Sequence, residues 1–197
     1  MAEIKASDVA ALRKMTGAPM MDCKKALTES KGDTDKAIEH LRKKGAATAA
    51  KRATREAKEG VITSYVHGDK IGVLVEVNSE TDFVARSEDF QKFARDVAMH
   101  VAAANPEYLK PEDVPAKILD KEKEIELEKL KKEGKPANIL DKIWEGKKEK
   151  YFSENCLIKQ SYVKNPDITI EELLNEVVGK IGEKIEIRRF ARFELGK

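Results

Sequence analysis

The spacing of apolar residues changes once and abruptly between residues 78 and 87, and this change constrains the fold more than any other feature. Residues 71–77 place isoleucine or valine at every second position, which is typical of a half-buried strand. Residues 90–102 place apolar side chains three and four positions apart, as on an amphipathic helix. The sequence therefore predicts a strand, a short connection and a helix from Ser87 to about Ala104.

The connection itself carries an acid, a large aromatic ring and a cation, namely Asp82, Phe83 and Arg86. Thr81 can cap a short helical turn that carries Asp82 and Phe83. Because loops on a rigid scaffold often carry function, these side chains are candidates for an exposed contact. The alternative is that Phe83 packs inward as the first core residue of the helix, with Asp82 only as a cap.

Composition limits the class of protein. The 197 residues are enough for one or two domains, and 38% charged residues against 41% hydrophobic ones favour elongated or helical parts with a large solvated surface. The net charge of +2 argues against a dedicated DNA-binding protein. No apolar run reaches the roughly 18 residues of a membrane span, and the N-terminus lacks signal-peptide order. We expect a cytoplasmic protein with no membrane contact.

Cysteine and histidine are too sparse and too scattered for a metal site. Cys23 and Cys156 form no CxxC pair, and only three histidines accompany them. No phosphate-binding, nucleophile-elbow or zinc-protease motif is present in the sequence. We expect free thiols, no cofactor, no bound metal and no catalytic residues.

Residues 1–45 predict a bundle of three short helices. Ser7 is the expected cap of the first helix, Pro19 suits the first turn of the second, and Asp33 is the expected cap of the third, which should end at Gly45. Residues 46–59 have high helix propensity without large apolar side chains, and predict a separate solvated linker helix.

Methionines and cations cluster around the turn between the first two helices. Flexible methionines either fill gaps in a small core or form a surface that adapts to a partner, and basic neighbours would suit an acidic partner face. The residue types leave both readings open. The cluster contains Met15, Met20 and Met21 with Arg13, Lys14, Lys24 and Lys25.

Residues 60–197 predict a core α+β domain. Strands over 61–67, 70–78 and 184–195 should form a three-stranded antiparallel sheet, with a type II′ turn at Gly68-Asp69 and a bulge at Arg189-Phe190. Residues 156–163 could be extended chain, and a turn is expected at 165–167. Beyond it, Thr169 and Glu172 form a capping box that starts a covering helix, and Gly182 ends that helix.

A charged helical hairpin, residues 112–152, is predicted as an insertion in the core domain. Each half carries a thin apolar stripe, and Gly134-Lys135-Pro136 is a sharp reversal between them. Such an insertion accounts for the high charge content. The complete prediction is an α+β fold: a helical bundle over 1–45, a linker helix over 46–59 and a core over 60–197.

Two segments together carry a resemblance to a known family. LRKMTGAPMMDCKKAL at residues 12–27 and EVNSETDFVAR at residues 76–86 are similar to segments of the elongation factor Ts family, the bacterial-type exchange factors for the GTPase elongation factor Tu. The similarity covers essentially the whole chain. It implies a translation elongation factor that is not an enzyme and that promotes release of GDP from elongation factor Tu by disturbing its magnesium and phosphate site.

The resemblance also implies particular contacts. It implies that Thr81, Asp82, Phe83 and Val84 form the motif that dislodges the partner's magnesium. It implies that the N-terminal bundle resembles a ubiquitin-associated domain and docks on the GTPase, which favours Arg13, Met20, Met21 and Lys24 as contacts. His67 resembles a further family position near the interface, and its alternative is a solvated turn histidine.

The expected assembly also follows from the resemblance. The hairpin matches the family's coiled-coil protrusion. The chain has one core subdomain where longer members have two, so the resemblance implies a homodimer and a 2:2 complex with the GTPase.

Two other functions remain as alternatives. Basic pairs such as Lys51-Arg52 could bind nucleic acid, but the balanced charge and the lack of an aromatic platform weigh against direct binding. Glu80, Asp82 and His67 could form an acid–base site, but no nucleophile or metal motif supports an enzyme. A scaffold built on the charged hairpin is the least specific alternative.

Overall fold

The computed structural model describes residues 4–134 and 136–197. It has the α+β composition that the sequence predicts, with a three-stranded antiparallel sheet and helices on one face. In chain order the elements are α1 (Ala6–Thr16), α2 (Met20–Glu29), α3 (Thr34–Arg52), β1 (Glu59–His67), β2 (Ile71–Ser79), α4 (Asp82–Ala85), α5 (Glu88–Ala104), α6 (Ala116–Lys132), α7 (Ala137–Asn155), β3 (Ser161–Tyr162), β4 (Asn165–Thr169), α8 (Ile170–Ile181) and β5 (Ile185–Glu194).

Helices α1, α2 and the first half of α3 pack around a small apolar core. Asp33 caps α3 as predicted, since its side chain accepts a hydrogen bond from Lys36 N at 3.1 Å. The predicted cap at Ser7 is wrong. Helix α1 already begins at Ala6, and the bond at its N-terminus runs from Lys5 N to the Asp8 carboxylate at 3.2 Å. Pro19 immediately precedes α2 instead of lying in its first turn.

Helix α3 does not end at Gly45, and the predicted separate linker helix over 46–59 is wrong. The helix continues to Arg52, and residues 53–58 form irregular chain before β1. Gly45 lies where α3 crosses α8: a Cβ atom there would lie 2.7 Å from the Asn175 carbonyl oxygen. On the facing helix, a Cβ atom on Gly179 would lie 3.0 Å from Gly45 Cα. Gly45 therefore permits close helix packing and is not a helix stop.

The three strands pair in the order β1-β2-β5, all antiparallel. Val73, Val75 and Val77 face α5 and α8 in the main core. The bulge in β5 lies one residue before the predicted position. Glu76 pairs with Arg189 and Val77 pairs with Ile187, so Arg188 is the extra residue.

The β1–β2 turn is also different from the prediction. Gly68 and Asp69 have φ values of +53° and +56°, and positive φ at both central residues is the signature of type I′, not type II′. Aspartate tolerates this left-handed conformation because its short polar side chain creates little steric conflict.

A second, two-stranded sheet formed by β3 and β4 was missed in the sequence. The chain reverses at residues 163–164, and the turn predicted at 165–167 belongs to β4. Residues 157–159, predicted as extended chain, form a short 3-10 helix. These strands are two and five residues long, too short for alternation to reveal them.

Helices α6 and α7 form the inserted hairpin. Buried Leu130, Leu140 and Trp144 lie along these two helices, and Lys147 Nζ pairs with Glu126 Oε1 across them at 2.9 Å. Lys135, the middle residue of the predicted reversal at Gly134-Lys135-Pro136, lies outside the described residues. The coiled-coil description of the hairpin stays a prediction. Across the described chain, none of the helices combines the length and the apolar character that crossing a lipid bilayer requires.

A buried polar network joins the base of the hairpin to the core. The fully buried His100 accepts a hydrogen bond from Val163 N at Nδ1, 3.3 Å away, and its Nε2 lies 3.0 Å from Gln160 Oε1. Gln160 Nε2 donates to the Glu154 carbonyl at the end of α7, 2.8 Å away. Burial lowers the pKa of His100, although the bond to Gln160 opposes this shift.

Replacing Gly45 by alanine is expected to destabilise the fold, because the new methyl group would collide with the backbone of α8. The matched control is Gly146→Ala in α7, where a Cβ atom meets nothing within 4 Å. The control should gain about 0.5–1 kcal/mol from better helix propensity. Urea unfolding measures both changes, and a stabilised Gly45→Ala variant would contradict the close crossing.

His100 is expected to make stability fall as the pH drops below its ordinary pKa of 6.5. Its pKa is lower in the folded chain, so below pH 6.5 the unfolded chain gains a proton that the folded chain resists. The contribution cannot exceed about 1.4 kcal/mol per pH unit. The free energy of unfolding, measured with urea between pH 7.5 and 5.5, should vary less with pH in His100→Gln than in the unaltered chain. Equal pH dependence in the two proteins would contradict the prediction.

Candidate functional site

The candidate site is the four-residue helix α4, which follows β2 directly. Thr81 is its N-cap, as predicted, and its hydroxyl accepts a hydrogen bond from Val84 N at 3.4 Å. The side chain of Phe83 is 81% exposed, whereas Ala85 is the residue of α4 that enters the core. The alternative that Phe83 packs into its own domain is therefore wrong.

Helix α4 is fixed by hydrogen bonds at both of its ends. Ser79 Oγ donates to the Thr81 carbonyl at 2.9 Å, Ser87 Oγ to the Val84 carbonyl at 2.8 Å and Gln91 Nε2 to the Ala85 carbonyl at 2.7 Å. Isolated helices of this length are unstable in water, so these bonds determine the shape of the turn. Ser87 is also the N-cap of α5, where its side chain accepts a hydrogen bond from Phe90 N.

The charged residues of the predicted motif have different environments. Asp82 lies on the surface beside Phe83 and pairs with Arg86 at 2.9 Å, an exposed pair that is weak by itself. Glu80 is largely buried and accepts from Arg52 Nη1 at 2.9 Å, Arg55 Nη1 at 3.0 Å and Lys184 N at 2.6 Å. Burial raises the pKa of Glu80, but these donors outweigh it and hold the pKa at about 2.

Glu183 is a site residue that sequence reasoning missed. Its carboxylate accepts hydrogen bonds from Thr81 N at 3.1 Å and from Thr81 Oγ1 at 2.9 Å. It lies about a hundred positions from Thr81 in the chain and belongs to the connection between α8 and β5. No local pattern in the sequence links the two residues.

The structure brings one of the N-terminal candidates to the Phe83 turn. A cleft of about 570 Å³ lies between the α1–α2 turn and α4, with Arg13 on one wall and Thr81, Phe83 and Val84 on the other. Lys180 reaches across this region and pairs with Asp89 of α5 at 2.5 Å.

The other N-terminal candidates lie outside this cleft. Met20, Met21 and Lys24 are on the exposed part of α2, and the side chain of Met21 is 71% exposed. Met15 is also exposed. The reading in which these methionines fill the bundle core is wrong.

His67 does not join the site. It ends β1 opposite Ile71, whereas α4 follows Ser79 at the other end of the same hairpin, about 25 Å away at 3.3 Å per residue. Its Nδ1 lies 3.1 Å from the Tyr65 hydroxyl, and the two rings stack. Glu80, Asp82 and His67 therefore form no acid–base cluster. Among residues 4–134 and 136–197, no group of acidic, histidine or cysteine side chains has the arrangement of a metal site.

Comparison with known proteins identifies the family to which these features correspond. The family model described as "Elongation factor TS" matches residues 3–197. The relative "Elongation factor Ts" of Desulfosudis oleivorans is 58% identical over an alignment of 198 positions, which covers all of both chains.

Two further relatives carry the same name. The protein of Geobacter sulfurreducens is 56% identical over 195 residues, covering 98% of this chain and 90% of the relative. That of Carboxydothermus hydrogenoformans is 57% identical over 187 residues, covering 94% of this chain and 86% of the relative. The similarity therefore extends over the N-terminal helices, the sheet and the inserted hairpin.

Proposed function

The chain belongs to the elongation factor Ts family of translation elongation factors with a nucleotide exchange role, and we propose that it binds elongation factor Tu in the GDP-bound state and promotes GDP release. The observation that carries this proposal is the exposed Phe83 on a turn braced at both ends. Large aromatic side chains are costly to leave in water and are enriched at the centres of protein interfaces.

The exchange mechanism needs only binding energy. In the GDP-bound GTPase, magnesium bridges the protein and the diphosphate and offsets the phosphate charge. Insertion of Phe83 between elements of the partner shifts the groups that hold the metal and the phosphates, and Thr81, Asp82 and Val84 complete this contact. Asp82 weakens the same site by hydrogen bonding or by charge repulsion. No bond of the nucleotide is made or broken, so the chain acts as a binding factor and not as an enzyme.

Coupling between the factor and the nucleotide is reciprocal. A protein that weakens GDP binding by a given factor must itself be bound more weakly by the same factor when GDP is present. GTP entering the empty site therefore releases the exchange factor. The chain accelerates exchange in both directions, and the cellular concentrations of GDP and GTP determine which direction prevails.

A second contact with the same partner is formed by the N-terminal bundle. Met20 and Met21 are exposed and conformationally adaptable, and the cations Arg13 and Lys24 lie on the exposed surfaces of α1 and α2. This surface suits an apolar, acidic area of the GTPase. His67 is a third and weaker contact, at the far end of the β1–β2 hairpin. The chain performs these functions in the cytoplasm, without direct contact to nucleic acid.

The outer face of the sheet supports a homodimer. The helices cover one face, and the opposite face exposes large apolar side chains on all three strands: Ile62, Val66, Leu74 and Phe193. Gly72 lies between Val66 and Phe193 in register, so the face has a hollow at this position. Isolated apolar residues on a surface are common, but a contiguous group on one sheet face is typical of an interface.

A second copy of the chain is the occupant that best fits this face. Glu76 and Arg189 pair on the same face at 2.6 Å, so it offers both charge signs beside its apolar part. A two-fold axis can place Glu76 of one copy near Arg189 of the other, and Phe193 of one copy over the hollow at Gly72 of the other. Two copies then present two Phe83 turns, which corresponds to a 2:2 complex with the GTPase.

Phe83→Ala is expected to fold normally and to lose most of the stimulation of GDP release. The side chain contributes nothing to its own core, whereas removal of a buried interface anchor costs about 2 kcal/mol or more in binding, or roughly 30-fold in affinity. Elongation factor Tu loaded with a fluorescent GDP, chased with unlabelled GDP, reports the release rate at increasing concentrations of each variant.

The control for this experiment is Ile125→Ala, which truncates another exposed apolar side chain, on α6. It should stimulate release as well as the unaltered chain. Full stimulation by Phe83→Ala would remove Phe83 from the mechanism. Absence of stimulation by the unaltered chain would refute the proposed function itself.

Leu74→Glu is expected to dissociate the homodimer. The new charge would lie in the middle of the proposed apolar interface, where each copy would meet the charge of the other. Analytical ultracentrifugation at micromolar concentration should show the mass of two chains for the unaltered protein and of one for the variant. Val163→Glu, at an exposed apolar position on the β3–β4 turn, should keep the dimer mass. A monomeric unaltered chain would contradict the dimer.

A further inference from the structure

Residues 80–81 and residues 183–184 form reciprocal hydrogen bonds next to the Phe83 turn. Glu80 accepts a hydrogen bond from the backbone N–H of Lys184 at 2.6 Å. In the opposite direction, Glu183 accepts from the backbone N–H of Thr81 at 3.1 Å. Each segment therefore offers one carboxylate and one backbone donor to the other. We call this arrangement, formed by residues 80–81 and 183–184, the carboxylate clamp.

The clamp also determines the orientation of the Thr81 hydroxyl. This hydroxyl donates its single proton to Glu183 Oε1, 2.9 Å away. Its lone pairs are then left to accept the hydrogen bond from Val84 N at 3.4 Å. Glu183 therefore orients the N-cap of α4, and through it the helical turn on which Phe83 lies.

The same clamp connects the turn to the end of α3. Glu80 accepts from Arg52 at the last position of α3 and from Arg55 in the irregular segment that follows. Lys184 also contributes, because its ammonium group donates to the Arg55 carbonyl at 3.0 Å. The segment between the N-terminal bundle and the core is thus tied to the residue that precedes Thr81.

The direction of the Phe83 side chain depends on the backbone geometry of α4. Its side chain is largely exposed, so no packing within the chain fixes its direction. A flexible turn loses conformational entropy when it binds a partner, and this loss weakens the affinity. A turn that is already rigid avoids most of the loss. A single-turn helix has too few internal hydrogen bonds to supply this rigidity.

We propose that the carboxylate clamp holds Phe83 in its binding orientation, with Glu183 as a positioning residue for nucleotide exchange. Glu183 acts through Thr81 and α4 and does not need to touch the GTPase. The inference rests on the proposed function, since the value of a fixed Phe83 lies in its contact with the partner. The structural part of the proposal, which is the rigidity of α4, can be tested without any partner.

The partner-free test is amide hydrogen exchange measured by NMR on Glu183→Gln. The amide substitution removes an acceptor oxygen and introduces an NH₂ group that cannot accept. The amide protons of Ala85 and Arg86, which bond to the carbonyls of Thr81 and Asp82 at 3.3 and 3.1 Å, should exchange at least tenfold faster. Unchanged exchange at these two amides would overturn the proposal.

The control is Asp96→Asn. Asp96 is another largely buried carboxylate, which pairs with Lys164 at 2.6 Å and lies outside the clamp. This variant loses a comparable bond and should leave the exchange of Ala85 and Arg86 within twofold of the unaltered chain. Equal acceleration in both variants would mean that α4 responds to general destabilisation, and would also overturn the proposal.

The partner test is a double-mutant cycle on the affinity for nucleotide-free elongation factor Tu, measured by calorimetry. If Glu183 acts through Phe83, Glu183→Gln should weaken binding about tenfold when Phe83 is present and less than twofold when alanine replaces it. A purely structural role would give the same factor in both backgrounds, and that result would overturn the proposal. If Phe83→Ala alone leaves binding unchanged, Phe83 is not a contact that the clamp could position and the proposal is overturned, whereas the proposed function fails only if the unaltered chain does not stimulate GDP release.

Discussion

The structure around the candidate site depends on one constraint: a single turn of helix cannot hold itself together in water. Residues 82–85 remain helical because side chains from outside the turn satisfy the backbone groups at its ends, and because Ala85 enters the core below. The residues that supply these bonds come from β2, α5 and the connection between α8 and β5. The small α+β core therefore holds in place the turn that carries the exposed Phe83 side chain.

The second proposed contact surface, on the N-terminal bundle, is connected to the core at a crossing of two helices. Helix α3 begins in the bundle and passes over α8, where Gly45 and Gly179 allow the two backbones to approach. Beside this crossing, Arg42 Nε lies 3.3 Å from Glu176 Oε1. Burial raises the pKa of Glu176 against the opposing effect of Arg42. The crossing and this pair connect the bundle to the same core that carries α4.

Much of this architecture could be predicted from the sequence where one local signal determined one outcome. The change of period at 78–87, the threonine cap of α4 and the capping box at Thr169 each correspond to an element in the structure. Gly45 was misread because glycine serves both as a helix stop and as a close-packing residue. The difference between the two roles depends on α8, which lies more than a hundred residues further along the chain.

The site was only partly predictable for the same reason. The pattern identified Thr81, Asp82 and Phe83, but residue types alone could not decide whether Phe83 or Ala85 would enter the core. No sequence pattern indicates the role of Glu183, because its contact with Thr81 exists only after the sheet has formed. The exposed methionines were ambiguous until the small bundle was shown to close around other residues, chiefly Val9, Leu12 and Leu27.

The continuity of α3 has a mechanical consequence. Its 19 residues form a rod nearly 30 Å long at 1.5 Å per residue, with one end among the bundle helices and the other at Arg52. Bending such a rod in the middle would break its internal hydrogen bonds, and the irregular chain that follows it is held at Arg55 by Glu80 and Lys184. A displacement of the bundle is therefore transmitted along α3 to Arg52, and through its ion pair to the Glu80 carboxylate.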